Sequence, residues 1–61
     1  MNKSISNLNC GIYASFFETQ KSGNIWRIEV KKNNKIKDHF LVREAAVDKT
    51  LKDQFHKWGG D

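Results

Sequence analysis

Between Gly23 and Val42 the chain carries two β-rich runs divided by a pair of asparagines, and few folds accommodate that pattern. Trp26, Ile28 and Val30 alternate with Arg27, Glu29 and Lys31, the period-two arrangement of a strand with one buried and one wet face. Asn33 and Asn34 stand between lysines. Asparagine tolerates positive φ better than other residues bearing a Cβ, so the pair predicts the reversal of a hairpin. A two-residue turn would pair Val30 with Lys37 and Ile28 with His39. A three-residue loop would pair Val30 with Ile36 and put Phe40 on the face of Trp26. The second is the expected register, because it gathers Ile36, Phe40 and Val42 with the core while turning Asp38 inward near the sheet edge.

Upstream, Gly11 to Gln20 predicts a first strand, with Ile12, Ala14 and Phe16 on one face and Tyr13, Ser15, Phe17 and Thr19 on the other. Gln20 to Asn24 reads as a turn, so the next strand is expected to begin at Ile25 and run to about Lys32, with a third from about Lys35 to Val42. Arg43 to Lys57 predicts a helix. Val47, Leu51, Phe55 and Trp58 form its apolar stripe, the pairs Asp48/Lys52 and Asp53/Lys57 support it at i, i+4, and Gly59-Gly60 ends it. Residues 1–10 are rich in Asn and Ser and read as a mobile arm. The expected fold is α+β: one small domain over residues 11–61 in which a three-stranded antiparallel sheet packs on one C-terminal helix, in the order βββα. One face of the sheet is then left open.

The chain's 61 residues suffice for one domain and for a core so small that homodimerisation or binding-coupled stability is a reasonable expectation. Eleven basic against seven acidic side chains give a formal net charge of +4, which suits a polyanion without requiring one. The single cysteine, Cys10, cannot close an internal disulfide and reads as an inert thiol in a reducing, cytoplasmic setting. No signal-peptide core or bilayer-length apolar run is present, so no membrane association is expected.

Catalytic chemistry finds little to work with. Asp38 and His39, adjacent in a strand, point to opposite faces, and His56 reads as a surface residue of the helix. Cys10, His39, His56 and Asp61 lack metal-motif spacing, and no Gly-rich phosphate loop occurs. Neither an enzyme nor a bound metal or cofactor is expected. The basic residues do form a pattern, since five of the eleven lie between Arg27 and Lys37. Arg27 and Lys31 would lie beside Lys37 and His39 on the open face, with Tyr13, Ser15 and Phe17 completing it and Lys32 and Lys35 flanking the turn. Arginine reads guanine bidentately, lysine holds phosphate, and exposed aromatics stack on bases. The bland counterpart is a solvated sheet face stabilised by cross-strand charge pairs.

Gly11-Ile12-Tyr13, Ile25-Trp26-Arg27-Ile28 and Phe40-Leu41-Val42-Arg43-Glu44-Ala45-Ala46 together resemble two DNA-binding families, the plant ethylene-response-factor domain and the arm-binding amino-terminal domain of tyrosine integrases. The resemblance spans about Gly11 to Phe55. It departs at His39, where the families have glycine, and at Val42, where they have a Thr or Ser cap. A half-match to double-stranded RNA-binding domains lacks their first helix. The resemblance implies three strands on a helix, a sheet set into the major groove, and Arg27, Lys31, Lys37 and Tyr13 as DNA contacts. A DNA-binding regulator of phage or mobile-element size is the leading expectation, with RNA as an alternative ligand. The competing one is a small protein-binding regulator or inhibitor that anchors on a host protein or a second copy through Phe17, Tyr13 or Trp58.

Overall fold

The computed structural model describes residues 2–59. Its elements are β1 (Asn2–Ser6), β2 (Cys10–Gln20), β3 (Gly23–Lys32), β4 (Lys35–Arg43), a 3-10 turn at Glu44–Ala46 and α1 (Val47–Gly59). The strands form one antiparallel meander in the order β1-β2-β3-β4, and α1 lies chiefly over β2, with β1 and β3 to its sides. The class is thus α+β with a C-terminal helix, but the sheet has four strands where three were expected.

The fourth strand comes from the segment read as an arm. Asn2 to Ser6 pairs with Ser15 to Gly11, which puts Ile5 opposite Ile12 on the helix side and Lys3 opposite Ala14. Lys3 then reaches Asp48 of α1 at 3.0 Å. Asp48 is therefore engaged across elements, where an i, i+4 pair with Lys52 was expected. An edge strand held by ladder hydrogen bonds needs few apolar residues, which is why this one leaves almost no periodic trace.

The β2–β3 connection is tighter than expected. Gln20 pairs with Gly23, leaving Lys21 and Ser22 as the turn, so β3 begins at Gly23 and not at Ile25. Gly23 has φ of 124°, a value that side chains with a Cβ rarely adopt. A bulge between Phe16 and Glu18 makes Phe17 the extra residue and sets Glu18 opposite Ile25. Phe17 therefore falls out of the alternation that would have placed it beside Tyr13 and Ser15.

The β3–β4 hairpin corrects the expected register. Lys32 pairs with Lys35 across a two-residue turn in which Asn33 has φ of 54° and Asn34 66°, the positive values a type I′ turn requires at both positions. Alone, that turn would send Phe40 and Val42 away from the core. A bulge between Val30 and Lys31 on one side and Ile36 to Asp38 on the other inserts Lys37 and resets the parity. Ile28 then faces Phe40, Trp26 faces Val42, and Val30 faces Asp38. Phe40 reaches the side of Trp26 as expected, but Ile36 is left exposed beside Lys31.

Ile12, Ala14, Trp26, Ile28 and Val30 meet Val47 and Leu51 of the helix in the core, with Cys10 at its margin. Ile5, Phe40, Val42, Phe55 and Trp58 pack around them. Each fully buried aliphatic contributes about 1.5–3 kcal/mol. The helical stripe is the one its spacing predicts. Its start is softened by the 3-10 turn, since Arg43 offers no side-chain cap. Glu44 instead accepts from Trp26 Nε1 (3.0 Å) and Asn24 Nδ2 (3.3 Å), tying the strand-to-helix corner to β3. The helix reaches Gly59; Gly60, the second residue of the expected stop, and Asp61 lie outside the described residues.

Candidate nucleic-acid interface

Paired residues on neighbouring strands share a face, so the register lays out the side that the helix leaves uncovered. Reading from β1 to β4, one row is Ser6, Gly11, Lys31 and Ile36; the next is Ser4, Tyr13, Glu29 and His39; a third is Asn2, Ser15, Arg27 and Leu41. Beyond these, Glu18, Ile25 and Arg43 align across the three longer strands. The β1 side is small and uncharged, while the cations collect on β3 and β4.

Tyr13 sits in the second column of this surface and is 40% exposed. Its ring lies down over Gly11: a Cβ on that glycine would come within 2.6 Å of ring atoms Cε2 and Cζ. Glycine is what lets the ring rest against the strand rather than stand off it. Lys31, the partner of Gly11 in β3, places Nζ 5.7 Å from the ring centroid, within cation–π range. Tyr13 borders an open depression of about 430 Å³ that is also lined by Asn2, Ser4, Ser15, Glu29 and Lys31 among others.

Arg27 is not free. Its Nη2 lies 3.3 Å from Glu29 Oε2, and Glu29 stands between Tyr13 and His39 in its row. Both side chains are substantially exposed, so the pair contributes only about 0–1 kcal/mol and a competing phosphate could displace the carboxylate at little cost.

Of the seven residues the sequence nominates, Tyr13, Arg27, Lys31 and His39 come together on the open face. Lys37 is the bulged residue at its margin. Lys32 and Lys35 pair with one another at the turn, and Lys32, whose β2 partner Cys10 is buried in the core, turns to the helix side, where Nζ donates to the Trp58 carbonyl at 2.8 Å. That ammonium serves the helix C-terminus, where the dipole favours a cation. Arg43, assigned from the sequence to the helix, ends β4 instead and is exposed opposite Ile25. Its position one residue beyond the run Phe40-Leu41-Val42 is the signal that could have extended the strand to include it.

The surface offers guanidinium and ammonium groups for phosphate, one aromatic face for stacking, and short hydroxyl and amide side chains for hydrogen bonding. Among the described residues no group of three or more His, Cys, Asp or Glu side chains gathers as a metal site, and no helix is long and apolar enough to cross a membrane. No family model, no curated protein and no solved structure matches the chain.

Proposed function

We propose that this chain is a small nucleic-acid-binding module, with DNA its leading ligand and RNA the alternative, that engages its ligand through the open face of the sheet. The observation that carries the reading is the placement of Tyr13, Arg27, Lys31 and His39 together on the one sheet face that α1 does not cover. Arg43 and Lys37 extend the positive surface along β4. The charge serves phosphate, the aromatic ring serves bases, and both sit on strands rather than on loops, where backbone ladders fix their spacing. The sequence resemblance to ethylene-response-factor and integrase arm-binding domains, which use a sheet face, points the same way.

The test is an electrophoretic shift with duplex DNA, RNA and single strands at two salt concentrations. Binding that weakens steeply with salt, and weakens further in Arg27→Ala and Lys31→Ala, is the expected outcome. Absence of any shift, or a shift indifferent to salt, sinks the proposal.

A second reading rests on Phe16 and Phe17, which leave nearly half their surface exposed at the β2 bulge while Phe16 packs edge-on against Trp26, ring centroids 6.3 Å apart. Two adjacent exposed aromatics suit an anchor for a protein partner. A protein retained from a nuclease-treated lysate and lost in Phe17→Ser favours this reading; retention that vanishes with nuclease counts against it.

A further inference from the structure

We infer that the open face takes an unpaired nucleobase, stacked on Tyr13 and seated in the depression beside it, so that single-stranded nucleic acid is bound in preference to duplex. The inference rests on the nucleic-acid reading above and narrows it to a ligand class.

Three observations carry it. First, Tyr13 lies over Gly11 and is 40% exposed, with Lys31 Nζ above the face of its ring, 5.7 Å from the centroid, so a nucleobase would take that face by displacing the ammonium. In a duplex the faces of the bases are buried in the stack and only their edges show in the grooves; a ring laid against the sheet therefore finds its counterpart in an unstacked base. Second, the depression of about 430 Å³ adjoins that ring and carries hydrogen-bonding side chains: Asn2 and the Ser4 and Ser15 hydroxyls, with the Glu29 carboxylate as an acceptor for an exocyclic amine. Lys31, which also lines it, is a long, exposed cation, able to leave the ring for the phosphate of the same nucleotide. Third, the sheet is four strands wide. At about 4.8 Å between neighbouring strands its outer axes lie roughly 14 Å apart, broader than the roughly 12 Å major groove that admits a helix or a two-stranded ribbon. The added strand β1 is what widens it, and the same strand supplies Asn2 and Ser4.

The test is fluorescence anisotropy with labelled single-stranded DNA, single-stranded RNA and a blunt DNA duplex of equal length, using the full chain and three variants. Tyr13→Thr keeps a strand-forming residue but removes the ring, Tyr13→Phe keeps the ring, and Arg27→Ala serves as the charge control. The expected result is that one or both single strands bind at least tenfold more tightly than the duplex. Tyr13→Thr is expected to lose about tenfold or more of that affinity while Tyr13→Phe retains it, and the two single strands separate DNA from RNA as the source of the base. A duplex bound as tightly as either strand overturns the inference. So does a Tyr13→Thr variant that binds single strands unchanged while Arg27→Ala weakens them, a result that leaves the broader reading standing. Failure of every oligonucleotide to bind overturns both.

Discussion

Glu29 is the residue on which the open face turns, because it pairs with Arg27, the one arginine among the residues proposed to bind. Its carboxylate lies 3.3 Å from the Arg27 guanidinium and would repel a phosphate that approached. Glu29→Gln keeps the shape and a hydrogen-bonding tip while releasing Arg27, so affinity for nucleic acid at low salt is expected to rise several-fold. Stability should shift by no more than about 1 kcal/mol, since the lost pair is exposed; titration against a labelled oligonucleotide and a urea melt check the two halves. On the opposite face the balance is reversed. Ile28 is fully buried (0% exposed) among Trp26, Val30 and the helix stripe, and Ile28→Ala is expected to cost about 2–5 kcal/mol in denaturant unfolding. The two residues are neighbours in sequence, and strict alternation along β3 alone made their opposite roles legible. The same alternation placed Tyr13, Arg27, Lys31 and His39. It misplaced Phe17, because a bulge breaks the period locally, and it could not show that Gly11 beds the Tyr13 ring, which depends on a rotamer.

At the scale of elements, Lys37 matters more for being an extra residue than for being a lysine. The Asn33-Asn34 turn and the apolar residues of β4 make conflicting demands: the positive φ values of the asparagines favour a two-residue loop, whereas Phe40 and Val42 need a shift of one residue to face Ile28 and Trp26. The bulge satisfies both. A sequence reading that admits only turn length as a variable must put the extra residue in the loop, and so also expects Ile36 inside. Deleting Lys37 tests this account directly. Without it the two-residue turn would feed an unbroken ladder in which Phe40 and Val42 still face Ile28 and Trp26, so the deletion is expected to leave unfolding cooperative and stability within about 1 kcal/mol of the parent. Lys37→Ala, which keeps the bulge, should stay within about 0.5 kcal/mol of the parent; urea melts of both check this, and loss of cooperative unfolding in the deletion alone would mean that the bulge itself, not the parity it restores, holds β4 in place. Strand β1 was hidden for a different reason. Its contribution comes from backbone pairing, one partly buried isoleucine and the Lys3–Asp48 contact, and only the last of these involves charge, across 45 residues of sequence.

For the whole molecule, the question is whether attraction to a polyanion would come from net charge or from where the charge lies. The sheet and helix form an elongated body of 37 × 19 × 17 Å, thick enough that cations on the helix and cations on the open face point to different surroundings. A screening length of about 8–10 Å at physiological ionic strength makes those two sets nearly independent. Lys49 and Lys52 are exposed on α1. Reversing both, as Lys49→Glu with Lys52→Glu, removes two charges at each site and takes the formal net charge from +4 to zero. Replacing Arg27 and Lys31 by alanine removes only one charge at each site and leaves the chain at +2. If the open face is the contact surface, the milder change does the greater harm. The alanine pair should weaken binding sharply and reduce the slope of log K against log[salt] by about 0.7 per residue on a single strand or 0.9 on duplex DNA. The helix reversals should lower affinity only modestly and leave the slope nearly unchanged. Measured together in one salt titration, the reverse ranking would mean that any binding is a property of overall charge and that the sheet face is a solvated surface stabilised by its own cross-strand pairs.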